Sequence, residues 1–243
     1  VVVSGISYLS YLLKRYVFHE SGTLVSGIIG GLYSSTATIS VLARKSRKAS
    51  EQEATDYVAA MLLAISMMFL RFMILILIFS REIFLSIYPY LLTMAVVAAI
   101  VAWFIHSRQK RSNDQPVEAE EDDSSNPLEF KVALIFAVLF VVFTFLTHYT
   151  LVYAGTGGLN LLSFVSGFSD ITPFILNLLQ NTGSVAALII TACSMQAIIS
   201  NIMVNMFYAL FFAGKGSKLR PWILGGFGVV IACNLVLLLF FYI

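Results

Sequence analysis

Charge is what this sequence has least of. Only 12% of its 243 residues are Asp, Glu, Lys or Arg, against about 25% in an ordinary soluble domain. That is too little to coat a globule of this size, which excludes a soluble single-domain enzyme. Hydrophobic residues make up 59% of the chain, which excludes a disordered one. The formal charge of +2 lacks the clustered basic face that nucleic-acid binding needs, so no nucleic-acid partner is expected. Cysteine is scarce as well. Cys193 and Cys233 both lie inside apolar runs and read as small buried hydrophobes, not as a disulfide or a metal site. Signal-peptide grammar is missing, since no basic segment precedes the first apolar run and no small-residue cleavage site follows it. A start at Val1, without Met and inside an apolar run, reads as a domain continuing from a longer polypeptide.

Long apolar runs are what the sequence does have. A bilayer core about 30 Å thick needs roughly 20 apolar residues per helix. Eight stretches fit that ruler: 1–17, 24–43, 56–79, 86–106, 131–153, 162–180, 184–212 and 220–242. Continuous apolarity, without alternation, excludes a transmembrane β-barrel. The expected fold is therefore all-α, a polytopic membrane protein of about eight transmembrane helices with the lipid bilayer as its first partner.

One long polar segment, His106 to Glu129, carries the acidic run Glu118-Ala119-Glu120-Glu121-Asp122-Asp123 and has the composition of a solvated linker. It divides the chain into residues 1–106, a linker over 107–130, and residues 131–243. The two flanking parts look like copies of one four-helix unit. Gly30-Gly31-Leu32-Tyr33-Ser34-Ser35-Thr36 aligns with Ser166-Gly167-Phe168-Ser169-Asp170-Ile171-Thr172 at an offset of 136. Ser66 to Arg71 aligns with Ser200 to Asn205 at 134, and Tyr88-Pro89-Tyr90 with Arg220-Pro221-Trp222 at 132. Four spans are an even number, so the two units are expected to run parallel, with a site at their interface. Eight spans also put both termini and the linker on one side. That side carries eight basic loop residues against six opposite, so the positive-inside rule expects termini and linker in the cytoplasm. Trp103 and Trp222 fall near span ends, as aromatic belts do.

Two charges stand deep in apolar sequence: Arg71 in span three and Asp170 in span six. Charges inside a membrane are costly, and by default they mark function and have a partner. Each lies about 12 Å from the same surface at 1.5 Å per residue, and equal depth allows a direct ion pair. Ser34, Ser35, Thr36, Thr172, Asn201 and Asn205 fall in or near that layer. Pro173 is expected to break span six and free the Ser169 carbonyl beside Asp170, while Gly30, Gly31 and Gly167 loosen both helices at matching places. Broken helices whose carbonyls line a polar cavity are how transporters build cation sites. Asp170 would be the charged ligand, the hydroxyls and Asn201 would supply neutral oxygens, and Arg71 with Asn205 would be a counter-charge or gate. Such hard oxygen ligands suit Na⁺, Mg²⁺ or Mn²⁺. A buried pair can equally serve only to lock the fold, and Arg71 leaves an anionic substrate open.

Gly30-Gly31-Leu32-Tyr33-Ser34-Ser35-Thr36-Ala37-Thr38, followed by Ala43-Arg44-Lys45-Ser46-Arg47-Lys48, resembles a bacterial membrane domain of unknown function. That domain typically follows an MgtC/SapB-like domain in one polypeptide. Ser166-Gly167-Phe168-Ser169-Asp170 and the Ser200-Asn201 helix are similar to its later signatures. The resemblance implies a bacterial inner-membrane location, an MgtC/SapB-like part upstream, and a link to ion homeostasis by association only. Two positions depart from it: Thr172 stands where the family usually has a second acid, and Asn205 where it often has Lys. No catalytic constellation is visible. His19, His106 and His148 lack metal-ligand spacing to Cys or acids, and no second carboxylate or lysine accompanies Asp170 at depth. The expectation is a non-enzymatic transporter or channel for a small inorganic cation, without cofactor. The alternatives are a non-transporting module that docks a partner, and a carrier of an anionic metabolite or lipid. Gly-rich helices allow a homodimer.

Overall fold

The computed structural model describes residues 22–47, 49, 51–108, 130–168, 170–180, 186–214 and 217–242. Span one and the acidic linker lie outside the described residues. Seven helices are described: α1 (Thr23–Lys45), α2 (Glu51–Phe79), α3 (Arg81–Ser107), α4 (Phe130–Ser166), α5 (Ile171–Gln180), α6 (Ala187–Ala213) and α7 (Arg220–Tyr242). Five of them are long and apolar enough to cross a membrane: α1, α2, α3, α6 and α7. The side chains are arranged as a lipid solvent requires. Leu85, Leu92, Val96, Ile100 and Trp103 face outward from α3, while Ser200, Asn201, Asn205 and Asn234 are buried. Helices in lipid gain nothing from hiding apolar surface, so small residues and internal polar contacts hold them together.

α1 meets the length criterion but is not one straight helix. Ser34 has extended backbone angles (φ −157°, ψ 108°) and splits it into residues 23–33 and 35–45. The direction of the first part is fixed by glycine contacts. A Cβ on Gly27 would lie 2.3 Å from the Ala60 carbonyl oxygen, and one on Gly31 would lie 2.5 Å from Ala64 Cα. Residues 23–33 therefore run parallel to α2. A short loop joins α1 to α2, so a straight α1 would run antiparallel; the chain must reverse at Ser34. Gly30 and Thr38 agree. Eight residues apart, they would be separated by about 12 Å in a straight helix, yet a Cβ on Gly30 would be 2.4 Å from Thr38 Oγ1. Residues 23–45 form a helical hairpin, hairpin one.

The second half repeats this path. α4 is broken at Gly155, whose φ of 56° and ψ of −149° belong to a region open essentially to glycine alone. Residues 157–166 then run parallel to α6, with Asn160 against Cys193, Ser163 against Gln196 and Gly167 against Ser200. After a turn at Gly167 and Phe168, α5 leads back. This is hairpin two, residues 157–180.

Neither segment is the single straight helix expected of spans two and six: each runs out and back. An apolar window measures length and composition, not path, so a folded segment of the right length passes as a span. Contacts between residues 22–108 and 130–242 set the relative directions of the long helices. Arg47 donates from Nη2 to the Phe211 carbonyl at 3.1 Å and from Nε to that of Phe212, and Arg44 sits 4.3 Å over the Phe212 ring. The start of α2 thus lies beside the end of α6. Ile105 meets Gly226 while Tyr90 hydrogen-bonds to Asn234, so α3 and α7 are also antiparallel.

The charge distribution changes with the path. Arg44, Lys45, Arg47, Arg108, Lys218 and Arg220 lie at one end, hereafter the basic end, and Arg81 lies at the other. Asp56 and His106, 2.7 Å apart, tie α2 to α3 at the basic end. The last residues of α7 lie at the opposite end from the last residues of α3.

Candidate functional site

Each hairpin tip is built by a capped helix break. Ser34 accepts a hydrogen bond from the Ala37 N–H at 3.3 Å, the geometry of an N-cap for residues 35–45. Hydroxyl-rich sequence favours such breaks because Ser and Thr compete for backbone groups. The first arm then ends with free carbonyls. Arg71 reaches across from α2 and donates from Nη1 to the Tyr33 carbonyl at 2.8 Å. Its guanidinium lies 5.3 Å from the centre of the Phe72 ring, and its Nε is buried without a hydrogen-bond partner.

Tip two uses the same logic with other side chains. Asp170 Oδ1 accepts from the Thr172 N–H at 2.9 Å, capping α5. Pro173 is the third residue of that helix, where the N–H it lacks would have no intrahelical partner. It therefore starts a helix and does not break one, which corrects its expected role; the Ser169 carbonyl lies outside the described residues. The incoming arm is closed by α6. Ser200 donates to the Phe164 carbonyl at 2.6 Å, Asn201 Nδ2 to the Gly167 carbonyl at 3.1 Å, and Asn205 Nδ2 to Asn201 Oδ1 at 3.0 Å. Asn205 Oδ1 is buried without a hydrogen-bond partner. Ser200 is the middle residue of α6, so this tip sits near the centre of the molecule.

The two tips meet electrostatically: the Asp170 carboxylate lies within Coulombic reach of Arg71. They do not form the direct ion pair that equal depth allows. Among the described residues the ion pair within 4 Å is His106–Asp56, and Arg71 and Asp170 each bind backbone at a different tip. Backbone ends exposed by a helix break outbid a distant side chain for their hydrogen bonds. Ser35, Thr172, Asn201 and Asn205 are buried, Ser34, Thr36 and Arg71 are half-buried, and Asp170 is exposed. The glycines serve contact and not loosening. Gly31 touches Ala64, Gly30 accommodates Thr38, and a Cβ on Gly167 would be 2.4 Å from Ser200 Oγ.

Sequence reading missed the Tyr33 carbonyl and Gly27, named Ser200 in a repeated segment without giving it a role, and took Gly155 to Gly158 as a turn, which is where the helix breaks. Gly27 stands four residues before Gly31, a spacing that marks close helix packing; nothing local signals a carbonyl that a remote arginine will bind. Among the described residues no group of three His, Cys, Asp or Glu side chains converges, and Asp170 brings the one carboxylate to the tips.

Helices with apolar outer faces around a buried layer of amides, hydroxyls and one guanidinium define a polytopic helical membrane protein. Residues 1–213 match the family described as a domain of unknown function (DUF4010), and the chain belongs to that family. A relative from Aquifex aeolicus (strain VF5), itself described as an uncharacterized protein, is 25% identical over 224 residues, which is 91% of this chain and 96% of the relative. No solved structure matches the chain.

Proposed function

We propose that the protein is a membrane transporter or channel for a small inorganic cation, working without enzymatic activity, with its site where the two hairpin tips meet. The observation that carries this reading is the pairing of breaks. Two helical hairpins, packed on antiparallel helices, bring Arg71 and Asp170 within electrostatic reach of each other. Discontinuous helices meeting at an interface of inverted units are a recurrent transporter plan. Asp170 is the charged ligand, Ser34, Ser35, Thr36, Thr172 and Asn201 supply neutral oxygens, and Arg71 and Asn205 are counter-charge and gate. One carboxylate with neutral oxygens suits Na⁺ better than Mg²⁺ or Mn²⁺, which favour more charge. Arg44, Lys45, Arg47, Arg108, Lys218 and Arg220 at one end against Arg81 at the other support a bacterial inner-membrane orientation with the basic end in the cytoplasm. An MgtC/SapB-like domain and a second copy of the chain are the partners this reading takes over from the sequence.

A second reading, an anionic substrate, is favoured by the buried Nε of Arg71, which has no hydrogen-bond partner. Flux into proteoliposomes across panels of mono- and divalent cations and of small anions separates the two. Selective cation flux lost in Asp170→Asn supports the proposal; anion flux lost in Arg71→Ala replaces it. If well-folded protein moves neither, transport fails and a docking module takes its place.

A further inference from the structure

The two hairpins are held by different chemistry at the same register. Contacting residues on each incoming arm and its long helix are 33 positions apart in both halves: Gly27 with Ala60, Gly31 with Ala64, Asn160 with Cys193, Ser163 with Gln196, Gly167 with Ser200. In hairpin one the contact is glycine on alanine, so close that no side chain fits between the backbones. In hairpin two it is a ladder of side chains. The Cys193 thiol donates to Asn160 Oδ1 at 3.4 Å, the Ser163 hydroxyl to Gln196 Oε1 at 2.7 Å, and the Ser200 hydroxyl to the Phe164 carbonyl at 2.6 Å.

Two further observations concern the same region. The arm is peripheral, with Leu161, Phe164 and Val165 exposed on its outer face. A glycine with positive φ, Gly155, precedes it, and Gly167 ends it. A glycine–alanine seam parts only by leaving contacts unfilled. A hydrogen-bonded seam parts readily if water takes over the partners, because a water-mediated bond is nearly as good as a direct one.

We infer that residues 157–166 form an arm that swings on Gly155, and that its seam with α6 is the water-lined route to the hairpin tips from the end opposite the basic loops. Hairpin one is the fixed wall. The inference rests on the transporter reading, but solvent access is measured without transport.

Cys193 is a native probe inside the seam. In a Cys233→Ser protein, a membrane-impermeant methanethiosulfonate cation is added to vesicles of either orientation, and Cys193 modification is followed by mass. The control is Val58→Cys in a protein lacking both native thiols, since Val58 is equally buried on α2. The expected result is modification of Cys193 at least about tenfold faster than the control, as local opening predicts, in vesicles that expose the end opposite the basic loops. Reaction only after unfolding, only from the basic end, or only with a lipid-soluble maleimide overturns the inference. Labelling as expected without ion flux leaves the arm standing and removes the transporter reading; flux without labelling does the reverse.

Discussion

Asp170 has two tasks that substitution can separate. As a cap it needs an acceptor for the Thr172 N–H; as a charge it faces Arg71. Asparagine caps about as well as aspartate, whereas alanine costs about 0.5–2 kcal/mol at such a position. Asp170→Asn is therefore expected to keep the thermal midpoint in detergent near wild type while flux disappears. Asp170→Ala is expected to lower that midpoint as well; equal midpoints for the two variants would show that the cap contributes nothing. Arg71 divides differently, since its bond to the Tyr33 carbonyl is structural. Arg71→Lys keeps the charge but loses the planar, multi-donor geometry. It is expected to lower stability and retain part of the flux, which a comparison of midpoints and rates in one preparation checks. Both residues stood out in the sequence as charges without neighbours. Their partners did not, because backbone groups freed by a distant break leave no mark in residue identity.

At the level of elements, the hairpins depend on a few places where backbone meets backbone. Gly31 leaves 2.5 Å for a Cβ against Ala64 Cα, where neither neighbour can yield. Overpacking of this kind costs about 1–3 kcal/mol, so Gly31→Ala is expected to destabilise α1 on α2, visible as a lower thermal midpoint or loss of monodisperse protein. Gly155 is constrained by conformation instead: nothing lies near its Cβ position, but its φ is +56°. Holding another residue there costs about 1–3 kcal/mol. Gly155→Ala is expected to destabilise through strain alone, and a second substitution that relieves packing nearby will not rescue it. The helices themselves were legible from apolar runs. The reversals at Ser34 and at Gly167 were not, because Gly-Gly-x-x-Ser-Ser and Ser-Gly-x-x-Asp permit a bend without requiring one. What imposes it is the fit of Gly27 and Gly31 on Ala60 and Ala64.

For the whole molecule, the two reversals go with a placement of Lys218 and Arg220 at the end that holds Arg44, Arg47 and Arg108. The topology that follows is testable without any knowledge of substrate. Single cysteines at Ser217 and at Ser80, probed with an impermeant maleimide in intact and opened cells, are expected to label from opposite sides, with Ser217 cytoplasmic. A reporter fused after Ile243 is expected on the non-cytoplasmic side. Both ends labelling from one side would restore eight crossings and remove the hairpins.

Composition alone determined the class: with so few charges and such long apolar runs, only a lipid solvent leaves this chain with a stable surface. It also determined that Arg71 and Asp170 matter, since an ionised side chain in apolar sequence is costly wherever the chain goes. The tertiary structure decided where the chain goes. Whether an apolar segment crosses or turns back depends on which helix it packs against, and that is set by contacts between residues far apart in sequence, which no single segment encodes. The same contacts placed the two charges at opposing hairpin tips, each holding backbone, near enough to feel one another and not bonded.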